Sequence, residues 1–221
     1  MGDTAENSGA RLYEEFVAIH EVLRRGTAMV ADAYKALARG DEVHPGELAE
    51  AVRWLLAFTH AHHRAEDDVF WPLLHTLYPR LKSDLAELSA EHAVLDQALN
   101  DLEAATAGLS HRGGGPSPGP TGRASEAATR LQDILTGHLA AEEAVVERLF
   151  PGVPEADIIR LREAFIQGSP RFGVHLMFGL LEDPEPARGQ DLLTENFPPA
   201  LRDAREGLLE QYRTTREALA A

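Results

Sequence analysis

The sequence predicts an all-α protein, an antiparallel up-down four-helix bundle followed by additional C-terminal helices. Apolar residues recur at three- and four-residue spacings in four long stretches before residue 150. No segment between these stretches alternates apolar and polar residues as a β-strand does. Four amphipathic helices bury their apolar faces most economically against one another, so a bundle is expected.

Composition narrows the class of protein. Of the 221 residues, 44% are apolar and 26% are charged, which is typical of a globular chain. The net charge of -15 disfavours nucleic acid and anionic membranes as partners. Cysteine is absent, so a metal would have to bind nitrogen and oxygen ligands. Without an apolar run of about 20 residues or a signal-peptide pattern, we expect a cytoplasmic protein. The oligomeric state is left open.

The first half of the chain predicts a tail and two helices. Residues 1–10 are small and polar and are expected to form a flexible tail. Helix A covers about residues 12–38, where apolar residues keep the helical period. Helix B begins at Pro45, a residue suited to a first helical turn, and is expected to be interrupted at Pro72 and Pro79.

The second half predicts two more helices and an extension. Helix C starts with Ser83 as a plausible N-cap and ends near Gly108. Residues 111–123 are rich in glycine and proline and predict a flexible loop within the bundle domain, which spans residues 11–150. Helix D then runs to Phe150, and residues 151–221 predict helices that pack on the bundle.

Each half of the predicted bundle carries one separate histidine and one His/Glu pair. Residues four apart lie on the same face of a helix, about 6 Å from each other, so each pair can converge on one centre. The same order occurs twice, which suggests a pseudo-twofold site. The six residues are His20 on helix A, His62 and Glu66 on helix B, His92 on helix C, and His138 and Glu142 on helix D.

These six polar residues lie on the apolar stripes that should form the core. Phe16 and Leu23 flank the first histidine, for example, and Leu88 and Leu95 flank the third. Buried charge is costly unless it is paired or bound to metal. One such residue alone is usually a satisfied core group, but six on four helices predict a two-metal site. Imidazole with carboxylate suits iron, zinc, manganese or copper, and zinc is the main alternative by ligand type.

The segments IHEVL, THAHHRAEDDVFWPLL, SAEHAVLD and GHLAAEEAVVERLFP together resemble the hemerythrin-like family of HHE cation-binding proteins, over about residues 12–150. That resemblance implies two iron ions with an oxo or hydroxo bridge, and makes zinc or manganese less favoured. It also implies that the two glutamates bridge the irons. The implied ligands are His20, His62, Glu66, His92, His138 and Glu142.

Two positions depart from the oxygen-carrying hemerythrins. The carriers have a second histidine one turn after the third-helix histidine, and here that residue is Asp96. The carriers also space the last acid five residues from its histidine, which would select Glu143. Glu142 is preferred because it reproduces the helix B spacing, with Glu143 as the alternative. Asp96 is a candidate proton relay, and Tyr13 a candidate hydrogen-bond donor behind the ligands.

With two imidazoles and two bridging glutamates, each iron would keep an open position. This favours an oxidoreductase that uses O2, peroxide or a small-molecule substrate, as an oxidase, an oxygenase or a catalase-like enzyme. The alternative is a protein that binds or senses O2, nitric oxide or iron without turnover. A metal-free helical scaffold is a third class. His63 is turned about 100° from His62 on the helix and is expected behind the ligands or at the surface.

Overall fold

The computed structural model describes residues 2–110 and 118–219, and all regular structure within those ranges is helical, which confirms the predicted fold class. The second bundle helix consists of two α-helices joined by a π-helical turn. The bundle elements are α1 (Gly2–Arg39), α2 (Pro45–Ala65), the π turn (Glu66–Phe70), α3 (Trp71–Leu77), α4 (Lys82–Ser110) and α5 (Pro118–Leu149).

Helices α1 and α4 lie diagonally across the bundle, and each packs against both α2 and α5. The buried side chains form two apolar clusters. One contains Leu23 and Leu95, and the other contains Phe16 and Leu88. A layer of polar residues interrupts the apolar period between them, at the positions of the predicted metal ligands. The two clusters enclose this layer from both ends of the bundle.

Helix α1 extends further towards the N-terminus than the sequence indicated. It begins at Gly2, whereas residues 1–10 were expected to form a flexible tail. Gly9 is buried, and a Cβ atom at this position would lie 2.1 Å from the carbonyl oxygen of Phe150. The glycine at position 9 is therefore explained by close packing and not by a flexible tail, because only glycine lets the two backbones approach so closely.

The loop between the third and fourth bundle helices also differs from its prediction. Residues 111–117 lie outside the described residues, and α5 already begins at Pro118, so residues 118–123 are helical. At the start of α4, Ser83 is not the N-cap, since the helix begins at Lys82 and the Ser83 hydroxyl donates to Asp84 instead.

The predicted interruption at Pro72 is a change of helix type and not a break. The backbone N–H of Trp71 donates to the carbonyl oxygen of Glu66, five residues earlier, which closes the π turn. Proline lacks an N–H and cannot continue the regular α-helical pattern, and the wider turn ends just before it. Single π turns are common at functional sites, and this one begins at Glu66, a predicted ligand.

Residues 155–219 form five further α-helices on the flank made by α1 and α2. Helix α6 packs on both bundle helices, α7 and α8 pack on α1, and α10 packs on α7 and α2. Arg162 of α6 donates two hydrogen bonds to the buried Glu15 of α1, both 2.7 Å long. The helices are α6 (Glu155–Gly168), α7 (Val174–Glu182), α8 (Gln190–Glu195), α9 (Pro199–Asp203) and α10 (Arg205–Leu219).

Among residues 2–110 and 118–219, no helix combines the length and apolar character that a bilayer span requires.

Candidate metal centre

Seven side chains meet in the polar layer, and none is more than 4% exposed. In each of two groups, the potential ligand atoms all lie within 4.8 Å of one another. The two groups take residues from all four bundle helices, so neither exists until the bundle is assembled. The first group is His20, His62, Glu66 and Glu142, and the second is His63, His92 and His138.

The carboxylate of Glu66 reaches both groups. Its Oε1 lies 3.1 Å from Nε2 of His62, in the first group. Its Oε2 lies 3.5 Å from Nε2 of His92, in the second. Glu66 is positioned by the end of α2, where its own N–H donates to the carbonyls of His62 and His63. One oxygen is thus directed to each side, as a bridging carboxylate requires.

Glu142 occupies the corresponding position on α5. Its Oε1 lies 3.1 Å from Nε2 of His138 and 3.6 Å from Nε2 of His92. Its Oε2 lies 3.7 Å from Nε2 of His20. The second carboxylate therefore also faces both groups, and the two glutamates connect them from opposite helices.

Three of the histidines are oriented by a carboxylate on the side away from the cluster. In each case Nδ1 donates to the carboxylate, so the lone pair of Nε2 faces the cluster, which is the tautomer that binds a metal. The orienting role of these carboxylates was not predicted from the sequence. The pairs are His20 with Glu143 at 2.9 Å, His92 with Asp67 at 3.0 Å, and His138 with Glu91 at 2.9 Å.

The cluster atoms fit a pair of cations. Both oxygens of Glu66 and of Glu142, and the Nε2 atoms of the histidines, are buried without a hydrogen-bond partner among the described residues. Buried polar groups left in this way cost about 1–3 kcal/mol each. Two cations would supply partners to all of them at once. The donor set of imidazole and carboxylate suits iron, zinc, manganese or copper and does not by itself select one.

The protein groups alone shift the pKa values in opposite directions. Burial lowers the pKa of His20 to about 4 and that of His62 to about 3. Burial, and then the charge of Glu142, raise the pKa of Glu66 well above its usual value. At His92 burial is outweighed by the carboxylates of Glu142 and Asp67, which raise its pKa to about 9. Cations placed between the groups would replace these protons.

His63 lies in the cluster, so the expectation that it lies behind the ligands or at the surface is wrong. It is 4% exposed, its ring stacks on that of His92 with centroids 4.4 Å apart, and it belongs to the second group. Helix α2 packs against both α1 and α4, so its buried sector is wide enough for two residues 100° apart. One signal was present in the sequence, because His63 lies three residues before Glu66 and therefore shares its helix face.

Asp96 lies away from the cluster, so the expectation that it relays protons there is wrong, whereas the hydrogen-bonding role expected of Tyr13 stays a prediction. The side chain of Asp96 is 51% exposed and pairs with the partly exposed His60 at 3.3 Å. Tyr13 packs beneath the guanidinium of Arg188, 5.4 Å from its ring centroid. Asp96 was considered because the resemblance places it where the oxygen carriers have a second histidine, and a position one turn from His92 does not show which way an exposed side chain turns.

Of the two candidate acids on α5, Glu142 lies in the cluster and Glu143 does not. Glu142 is fully buried, whereas the side chain of Glu143 is 19% exposed. Besides orienting His20, Glu143 pairs with Arg24 at 2.8 Å. The acid spaced four residues from His138 therefore faces the candidate metal site, and its neighbour acts through His20.

Comparison with known proteins identifies one family. The Hemerythrin HHE cation binding domain matches residues 11–151, which is more than half of the chain. No curated protein and no solved structure matches the chain. The matched residues include both donor groups and end where the C-terminal extension begins.

Proposed function

The chain belongs to the hemerythrin HHE cation-binding family, and from this premise we propose that it holds two iron ions and binds O2, or another small ligand such as nitric oxide, at one of them. Seven buried side chains support the metal pair, because their Nε2 and carboxylate atoms face each other without a hydrogen-bond partner in the part of the chain that the structure describes. Iron in such a site supplies reversible one-electron redox chemistry and affinity for O2. The ligands would be His20, His62, His63, Glu66, His92, His138 and Glu142.

The observation that supports binding is the inequality of the two donor groups. One has the imidazoles of His20 and His62, and the other has three imidazoles, including that of His63. Glu66 and Glu142 reach both. With a bridging oxygen, the three-imidazole ion would be saturated at six ligands, and the ion held by His20 and His62 would keep one open position.

This inequality changes the expected chemistry. An open position on each iron was the reason to favour an oxidoreductase, and the imidazole of His63, if it binds the ion, would fill one of those positions. A single open position suits the uptake and release of one small ligand. The function that the geometry supports best is therefore binding, as in an oxygen carrier, a sensor or a store.

Turnover of O2 or peroxide is the second candidate. It is favoured by the three orienting carboxylates, two of which stand between the cluster and water, with the side chains of Asp67 and Glu91 40% and 51% exposed. Asp67 also accepts a hydrogen bond from the hydroxyl of Ser89, at 2.6 Å. Such groups could deliver the protons that reduction of O2 or peroxide consumes.

Metal content and ligand stoichiometry test the proposal. We expect two irons per chain and near-ultraviolet bands typical of an oxo-bridged pair in the oxidised protein. The reduced protein should take up one nitric oxide or O2 per chain and release it under vacuum. Two zinc ions, or no metal, would refute the proposal, and continuous consumption of peroxide would establish the second candidate instead.

A further inference from the structure

The metal cluster is sealed from solvent. None of its seven side chains is more than 4% exposed, so a ligand must pass through packed side chains to reach it. A cavity of about 50 Å³ lies beside the cluster, between the bundle and the C-terminal extension. Ile19, Phe58 and His62 form its bundle side, and Phe165, Met177 and Phe197 are on the extension side.

The size and lining of the cavity define what it can admit. Among the described residues no charged side chain lines the cavity, so anions such as azide or superoxide would lose their hydration there without compensation. Sites for drug-sized molecules usually occupy about 300–1,000 Å³, whereas one water molecule takes about 30 Å³ in the liquid. A cavity of about 50 Å³ thus accommodates a diatomic gas and excludes a bulky organic substrate.

One imidazole ring separates the cavity from the cluster. Nε2 of His62 faces Glu66 at 3.1 Å, while its Nδ1 is buried without a partner among the described residues. The ring of Phe165 stacks on that of His62, with centroids 5.3 Å apart and planes 11° apart. Phe165 is on α6, outside the residues that the family matches.

His62 belongs to the donor group that has only two imidazoles. The cavity therefore adjoins the half of the centre whose ion, in the proposed function, would keep an open position. We propose that this cavity is the route by which a small uncharged ligand, O2 or nitric oxide, reaches the His20/His62 side of the centre, and that Phe165 is a positioning residue that limits its passage. This inference rests on the proposed function and names its ligand class.

The outer end of the cavity offers a matched pair of substitutions. Ile166 lines the cavity and is 49% exposed. Ile159 is on the same helix, is 52% exposed, and is absent from the cavity lining. Tryptophan at either position adds the same ring to an exposed site, so both variants should fold, but only Ile166→Trp fills the outer end of the cavity.

Xenon binding tests whether the cavity exists, independently of the metal content of the protein. In crystals held under xenon pressure, we expect xenon beside His62 in the wild type and in Ile159→Trp, because dry apolar cavities bind it. Ile166→Trp should lose that xenon. A cavity that is empty of xenon in the wild type, or that is filled equally in both variants, would overturn the inference.

Nitric oxide association tests the route, measured by stopped flow on the reduced, iron-loaded protein. Ile166→Trp should slow both association and release about tenfold, which corresponds to about 1.4 kcal/mol of barrier, and Phe165→Ala should speed both. The dissociation constant should stay nearly constant, because a route changes both rates alike. Phe165→Leu, which keeps more of the packing, serves if Phe165→Ala is unstable.

The outcomes separate this inference from the proposed function. Equal rates in the wild type, Ile166→Trp and Ile159→Trp would overturn the route while nitric oxide binding still supported the function. A protein with no iron would refute the proposed function, and the route with it, although xenon could still identify the cavity.

Discussion

Replacing His63 by leucine should stabilise the metal-free protein and reduce the stabilisation that metal provides. Leucine has a similar size and no polar atom. His63 is 4% exposed, and neither of its ring nitrogens has a hydrogen-bond partner among the described residues. In the metal-free protein, the variant removes a buried unpaired group, and we expect the free energy of unfolding to rise by about 1–3 kcal/mol.

In the metal-loaded protein the same substitution removes a ligand. Loss of a group that merely orients a ligand typically weakens metal binding by about 10–100-fold, and loss of a ligand should cost at least as much. A 100-fold loss of affinity lowers the stabilisation that the metal provides by about 2.7 kcal/mol. The increase in the free energy of unfolding that metal provides should therefore be smaller in His63→Leu than in the wild type. The difference should be at least about as large as the rise in the free energy of unfolding of the metal-free variant.

The assay is urea unfolding of each variant with and without metal, together with metal analysis of the same samples. His60→Leu is the matched control, since His60 lies one turn earlier on α2, outside both donor groups, and its partly exposed side chain makes a pair with Asp96 worth no more than about 1 kcal/mol. Two metals bound to His63→Leu with unchanged affinity would refute the assignment of His63 as a ligand. A metal-free variant that is no more stable than the wild type would refute the argument from unpaired nitrogens.

Three further substitutions test other parts of the structure. Asp96→His should leave metal content and nitric oxide binding unchanged, because the side chain at this position is 51% exposed; an altered metal spectrum would show that it faces the cluster. Glu91→Gln should weaken metal binding about tenfold in competition with a chelator, the lower end of the usual range because the Glu91 side chain is 51% exposed, and unchanged competition would contradict its orienting role. Burial lowers the pKa of His175 against the charges of Glu47 and Glu50, so the unfolded chain binds more protons than the folded one just below pH 6.5 and stability falls as the pH decreases there. His175→Gln should make that decline shallower in urea titrations between about pH 6.5 and 5, and a pH dependence identical to that of the wild type would exclude His175 as a contributor.

The sequence by itself determined the helices and the inward face of each one. Helical geometry converts a spacing of four into a shared face, so His62 with Glu66 and His138 with Glu142 could be predicted as pairs on apolar stripes. The recurrence of the pattern in both halves also predicted that the pairs would meet. These conclusions needed only the local period of each helix and the general rule that apolar stripes face one another.

The tertiary structure decided how wide each buried sector is and which neighbouring helix fills it. The helical period of the apolar residues shows the centre of a buried stripe but not its edges. His63 lies at the edge of such a stripe and was therefore not predicted as a metal ligand, although α1 and α4 together bury it. Asp96 was drawn towards the site by the resemblance to the oxygen carriers, although its side chain is 51% exposed and pairs with His60. For both residues the missing information was the rotation of one helix relative to its neighbours.

Contacts between distant segments were also decided by the tertiary structure alone. The carboxylates that orient the histidines come from neighbouring helices, as Glu143 does for His20, 123 residues away. The stacking of Phe165 on His62 depends on how α6 docks against the bundle. Helical periodicity relates residues within a single turn or two, so it predicts the ligands on each helix but not the groups that surround them, which only the packing of separate helices brings together.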